Sequence, residues 1–207
     1  MEGQLTSYFA ALAQLARSVE VSADAGSGIA ADEGVRRVQT AARAAHDRGD
    51  KIMFVGNGGS AAIASHCAID YSKNGGLRAT AFNDGAALTC LGNDLGYENV
   101  FSTQIELHAR AGDLLIAISS SGRSPNILNA VKAARARGCM VVTLSGFTPE
   151  NPLRTMGDVN FYVASSQYGF VEILHLTLCH AILDLAMGWR DESSAASRTE
   201  SARMESV

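Results

Sequence analysis

His66 and Asp70 stand one helical turn apart, in a stretch of small residues from Ala61 to Tyr71 that reads as a helix. An imidazole and a carboxylate therefore share one face. A second set lies near the C-terminus, where Glu172, His175 and His180 interrupt a segment rich in Leu and Ile. Glu172 and His175 are three residues apart. Glu172 and His180 are eight apart and fall within about 80° of each other around a helix axis, with His175 at a wider angle from His180. Two such sets could hold a divalent ion, for which imidazole and carboxylate suit zinc or a similar metal. Alternatively they form an acid/base pair. The structural alternatives are a surface His66–Asp70 hydrogen bond and a core His175. His46 and His108 read as side chains on solvated faces.

Two polar loops offer an anion a seat. In Phe54-Val55-Gly56-Asn57-Gly58-Gly59-Ser60 an apolar run ends in a glycine-rich turn and a helix begins at once. Backbone amides at such a turn can approach an anion, the helix dipole favours it, and Ser60 adds a hydroxyl. The second loop, Ser119-Ser120-Ser121-Gly122-Arg123-Ser124-Pro125, carries four hydroxyls into another helix start, with Pro125 suited to the first turn. It has no lysine and no G-x-x-x-x-G-K-[ST] pattern, so it is not a nucleotide-hydrolysing loop. The first loop is not G-x-G-x-x-G either, because position 61 is Ala. A sugar phosphate suits these loops better than a nucleotide cofactor.

Residues 51–55, 77–82, 113–118, 140–144 and 159–163 read as strands, and 113–118 is apolar throughout, as a parallel strand covered on both faces must be. Helical patterns over 61–73, 100–108, 125–137 and 170–187 alternate with them. This predicts an α/β fold with a mostly parallel five-stranded sheet. Both polar loops then sit at C-terminal strand ends, where such folds bind ligands. Two further helices, 5–21 and 30–46, precede the first strand and must cover either the sheet or a neighbouring subunit. Residues 92–97 read as a loop, and 190–207 as a solvated tail on a single domain spanning 1–189.

Composition narrows the partners. The 207 residues suit one well-packed domain, and 47% of them are apolar. Seventeen basic against 21 acidic residues give a net charge of -4 with no basic block, which argues against nucleic acid. No signal-peptide pattern and no apolar run of membrane-spanning length stand out. Cys67, Cys90, Cys139 and Cys179 are scattered, as expected of reduced thiols in a cytoplasmic protein.

Gly56-Asn57-Gly58-Gly59-Ser60, Gly92-Asn93-Asp94 and Ser119-x-Ser121-Gly122-x-Ser124 together resemble the sugar isomerase (SIS) domain, closest to the bacterial phosphoheptose isomerases. The resemblance runs from the N-terminal helices to about residue 187. It implies a three-layer, flavodoxin-like fold and aldose–ketose isomerisation of a sugar phosphate through an enediol. In that branch the substrate is sedoheptulose 7-phosphate and the product D-glycero-D-manno-heptose 7-phosphate. Relatives that only bind phosphosugars or proteins, and isomerases of other phosphosugars, are the alternatives. Carried over by position, the resemblance implies Asp70 as base and His180 as its acid/base partner. It implies His66, Asp70, Glu172 and His180 as the metal set of zinc-binding members. Ser60, Ser119, Ser120, Ser121 and Ser124, with Gly58 and Gly59, would hold phosphate, while Asn57, Asp94 and Glu172 would line the sugar. Two positions depart from the family: Asp70 stands where glutamate is usual, and Glu172 where glutamine is usual. Homotetramers with sites near subunit interfaces are also implied.

Overall fold

The computed structural model describes residues 3–24 and 26–190. The expected tail over 190–207 lies, but for Arg190, outside the described residues. The sheet strands are β1 (Glu20–Ala23), β2 (Ser27–Ile29), β3 (Ile52–Gly56), β4 (Ala79–Ala81), β5 (Leu114–Ser119), β6 (Met140–Gly146) and β7 (Val159–Val163). Their order is β2-β1-β7-β6-β5-β3-β4. The pairs β7–β6, β6–β5, β5–β3 and β3–β4 are all parallel. These are the five strands expected from sequence.

Alternation within these strands builds two cores. Ile52, Phe54, Leu114, Ile116, Ile118, Val142 and Leu144 face one way, toward α2 (Ala31–Asp47), α3 (Gly59–Lys73) and α7 (Tyr168–Ala186). Met53, Val55, Leu115, Ala117 and Val141 face the other, toward α5 (Ser102–His108) and α6 (Pro125–Ala136). The period of 2 sends successive side chains into opposite layers, so strands buried on both faces are apolar at every position. The expected three-layer sandwich is present.

Three features differ from expectation. The first helix, α1, ends at Arg17 rather than residue 21, and Glu20–Ala23 instead forms β1, antiparallel to β7 and to β2. The sheet thus has seven strands, not five. Val21 and Ala23 alternate in a period that serves a strand, and the hairpin turns through Asp24 at φ 48° and Gly26 at φ 109°. Second, Gly92, Asn93 and Asp94 are not a loop but lie in α4 (Gly85–Leu95), which Asp84 caps by accepting from the Ala87 N–H at 2.9 Å. Third, α7 is long and apolar enough to cross a bilayer by length and composition, a run the sequence had not suggested. Here its Phe170, Val171, Leu174, Cys179, Ile182 and Leu183 are core.

The helix α1 (Gln4–Arg17) has no buried residue. It does not cover the sheet. Tyr8 rests on Phe170 with ring centroids 4.6 Å apart, and Leu12 and Leu15 pack on the α7 side. Leu5 and Phe9 stay 67% and 57% exposed.

Candidate active site

Two polar loops, a glycine-rich one after β3 and a serine-rich one after β5, form the walls of a cleft of about 260 Å³. Each is tight enough to require glycine. A Cβ on Gly56 would lie 2.5 Å from the Ser60 carbonyl oxygen. One on Gly122, which is at φ 61°, would lie 2.0 Å from Asn151 Oδ1. Gly58 (φ 53°) leads into the first turn of α3. The cleft is lined by Asn57, Gly58, Gly59 and Ser60 on one side and by Ser119, Ser120, Ser121 and Ser124 on the other. These are the residues expected to hold phosphate and sugar. Ser119 Oγ accepts from the Gly122 N–H at 3.2 Å, and Ser121 Oγ from the Arg123 N–H at 3.3 Å, which fixes both hydroxyls. Among the described residues, the hydroxyls of Ser60, Ser120 and Ser124 make no hydrogen bond. They are free to bind a ligand. Among the described residues no Lys or Arg lines the cleft, so an anion would meet amides, hydroxyls and the positive ends of α3 and α6, with the Glu172 carboxylate nearby.

Parallel strands followed by crossover helices make α3 and α7 run side by side in the same direction. This sets the second half of the site. His66, Asp70 and His180 offer ligand atoms that all lie within 4.8 Å of one another. His66 Nε2 is 3.2 Å from His180 Nε2 and 3.3 Å from an Asp70 oxygen, and His180 Nδ1 is 3.5 Å from that oxygen. Bonds of 2.0–2.1 Å in a tetrahedral zinc site put ligand atoms about 3.3 Å apart. Two imidazoles and a carboxylate at these separations fit such an ion. The side chains of His66, His180 and Asp70 are 50%, 34% and 19% exposed, so the cluster opens outward.

Glu172 stands apart from that cluster. Eight residues along α7 put it roughly 12 Å from His180 along the axis. It shares the cleft with the serines, facing the start of α3, where a Cβ on Gly59 would lie 2.5 Å from its Oε1. The expectation of four residues at one metal thus meets three together and one at the phosphate loops. Nearness in angle around the helix did not bring nearness along it. Asp94 is also elsewhere. It is exposed on α4, accepting from Asn93 Nδ2 at 2.8 Å, and does not line the cleft.

His175 is a core residue, as its structural reading held. It is fully buried with Nε2 3.1 Å from the Ser145 carbonyl oxygen, and its Nδ1 has no partner. Desolvation pulls it from 6.5 down to about 4, against the opposing effect of the Ser145 carbonyl.

Sequence reasoning missed two residues that hold the cleft wall from behind without lining it. Asn126, in the first turn of α6 and 2% exposed, exchanges two hydrogen bonds with Asn57, and the Tyr97 hydroxyl donates to Asn57 Oδ1 at 3.0 Å. A polar residue directly after Ser124-Pro125 was the available signal for Asn126. Nothing in the spacing of Tyr97 pointed across to residue 57.

This fold and this pairing of an anion cradle with a His–Asp–His cluster define a class. The SIS domain pattern matches residues 8–146, and the chain belongs to the SIS domain family. Within it, the chain groups with the phosphoheptose isomerases. It is 39% identical over 182 residues to the phosphoheptose isomerase of Bradyrhizobium sp. (strain ORS 278), covering 84% of this chain and 88% of that one. It is 40% identical over 143 residues to that of Aliarcobacter butzleri (strain RM4018), covering 66% and 75%. The solved structure of phosphoheptose isomerase GmhA from Neisseria gonorrhoeae superposes with a TM-score of 0.75 at 31% identity, covering 88% of this chain and 97% of that one.

Proposed function

We propose that this protein interconverts sedoheptulose 7-phosphate and D-glycero-D-manno-heptose 7-phosphate. The observation that carries the reading is the placement of a serine- and amide-lined cradle at the start of α3 and of a His–Asp–His cluster farther along α3 and on the neighbouring α7. From Ser60 to His66 and Asp70 the axial distance is roughly 9 to 15 Å, of the order of an open-chain heptose phosphate. The phosphate would sit among Ser60, Ser119, Ser120, Ser121 and Ser124, with the amides of Gly58 and Gly59, and would hold the carbonyl end toward Asp70 and His180. Anchoring of the far end supplies orientation.

In the ketose-to-aldose direction, Asp70 takes a proton from C1 while His180 gives one to the C2 carbonyl oxygen, leaving an enediol. Return of a proton to C2 and loss of one from the C1 oxygen complete the aldose. No proton or electron is gained or lost overall. His66 orients Asp70 through its 3.3 Å contact. Alternatively, His66, Asp70 and His180 would hold a divalent ion, zinc by donor type, and Asp70 or His180 could then act as base or acid only by leaving the ion. Such an ion, when bound, polarises the substrate's carbonyl and hydroxyl oxygens. Glu172, lying in the cleft, would line the sugar rather than complete that site. Asp94, exposed and outside the cleft of its own chain, would line the sugar from an adjoining copy. This suits an assembly, as does the exposed apolar face of α1, and a homotetramer in the cytoplasm is the form we propose.

The test is turnover of a panel of ketose phosphates in deuterated water, before and after chelation, with metal content measured. Isomerisation of sedoheptulose 7-phosphate with deuterium entering C2 is expected. No turnover and no isotope uptake across the panel would sink the isomerase reading. Preferential turnover of another ketose phosphate would reassign the substrate. Full activity in metal-free protein would rule out an obligatory ion.

A further inference from the structure

Asn57 projects from the first loop into the cleft, and its carboxamide is held on three sides. Its Nδ2 donates to Asn126 Oδ1 at 2.9 Å, and its Oδ1 accepts from Asn126 Nδ2 at 2.8 Å and from the Tyr97 hydroxyl at 3.0 Å. A carboxamide has two N–H donors and two acceptor lone pairs. Both lone pairs of Oδ1 are used, and one N–H is used. A single N–H of Asn57 is left over.

The reciprocal pair with Asn126 does not by itself fix which corner is oxygen. Exchanging O and N on both partners would leave two hydrogen bonds in place. In the structure the Tyr97 hydroxyl donates to the outer corner, Oδ1. A hydroxyl can donate or accept, so this third contact holds the plane of the carboxamide without itself choosing oxygen over nitrogen. Asn126 is 2% exposed on the rigid first turn of α6, and Tyr97 sits on the one-turn 3-10 helix Tyr97–Asn99 with 60% of its surface exposed. The two reach Asn57 from different elements, and neither lines the cleft itself.

We propose that Tyr97 and Asn126 are positioning residues that hold the Asn57 carboxamide in one plane, with the N–H left over in this arrangement turned to the sugar. The proposal rests on the isomerase reading of the site. A donor fixed before the substrate arrives selects an oxygen acceptor at that point, a carbonyl or the enediol oxygen on which charge develops. It also loses nothing to reorientation when the charge appears. Without the two partners the carboxamide rotates, and half of its orientations present oxygen to oxygen.

The test is a mutant cycle with a spectroscopic arm. Tyr97→Phe removes one hydroxyl from an exposed side chain and leaves the core untouched. We expect it to lower kcat/KM for sedoheptulose 7-phosphate roughly 3- to 10-fold, the effect of one neutral hydrogen bond. In an Asn57→Ala background the same substitution should change kcat/KM by less than about 2-fold, since its target is gone. Competitive inhibition by inorganic phosphate should stay unchanged in Tyr97→Phe. In protein labelled with 15N-asparagine, the Asn57 side-chain pair should shift in Tyr97→Phe. In Asn126→Ser it should collapse to the signals of a freely rotating carboxamide. An equal loss in both backgrounds, or no loss in either, overturns the proposal. Absence of turnover in the unmodified protein would instead refute the isomerase reading, and unshifted Asn57 signals in both variants would then overturn the network on its own.

Discussion

Acid should destabilise this protein through His175, and the size of the effect follows from its burial. The imidazole is held neutral with its pKa lowered from 6.5 to about 4. Between these two values the unfolded chain binds a proton that the folded chain refuses. Stability therefore rises with pH across this window; the contribution is complete above pH 6.5 and is lost as pH falls toward 4. A shift of this size corresponds to about 3 kcal/mol over the whole window, and about 2 kcal/mol is already lost on going from pH 8 to pH 5. That is a large fraction of the 5–15 kcal/mol by which domains are usually stable. The assay is urea unfolding at pH 8 and pH 5, compared with His175→Leu. The variant lowers stability at pH 8, because the Ser145 carbonyl loses its donor, at a cost of roughly 1–3 kcal/mol. Its pH dependence should nevertheless be shallower by about 2 kcal/mol. Carboxylates titrate alike in both proteins and cancel in the comparison. Equal slopes in the two proteins would refute the reasoning, since the buried imidazole would then carry none of the acid sensitivity.

Three further outcomes are expected. Asp70→Asn keeps the shape of the cluster but removes the proton acceptor, so kcat should fall roughly 10²- to 10⁴-fold with inhibition by inorganic phosphate unchanged, read by steady-state kinetics. Gly122→Ala forces a methyl to within 2.0 Å of Asn151 Oδ1 at a backbone φ of 61°. It should weaken phosphate binding at least about 10-fold by calorimetry, because the serine loop must move. Asp113, 1% exposed, accepts from the Lys51 and Arg110 N–H groups at 2.8 Å each and from Lys51 Nζ at 2.6 Å. Asp113→Ala leaves the two backbone N–H groups without that acceptor, while Lys51 Nζ keeps the His108 carbonyl, and should destabilise by about 2–4 kcal/mol in urea melts without altering the cleft.

Much of the architecture was legible because the central strands are apolar at every position, and that pattern has few other uses. Leu114-Leu115-Ile116-Ala117-Ile118 is the clearest case: once it is a strand, the serine loop after it must lie at a ligand-binding edge. The β1–β2 hairpin was hidden because Val19 completes the helical stripe of α1 and Val21 continues it by eye. Strand pairing to β7, a partner 140 residues away, decided the outcome, and no local window contains that partner. Gly92-Asn93-Asp94 carries turn-forming residues, yet α4 has no buried side chain. Its helix owes more to the Asp84 cap than to any apolar pattern. In the site, helical spacing put His66 beside Asp70 correctly. The same spacing brought Glu172 near His180 in angle only, because one turn along α3 and two turns along α7 are different distances.

Among the described residues, the cleft between the two loops is lined by one carboxylate, Glu172, and by no Lys or Arg. Phosphate recognition of the kind proposed there would rest on amides, hydroxyls and helix ends and not on side-chain cations. Added salt, which weakens phosphate sites built on lysine and arginine, has little to screen in a cradle of amides and hydroxyls. Such a cradle tells a phosphate ester from other anions by where its oxygens sit, and it holds no long-range attraction over a product that has begun to leave. For a near-reversible isomerisation, in which substrate and product carry the same phosphate, loose electrostatics would favour turnover over retention.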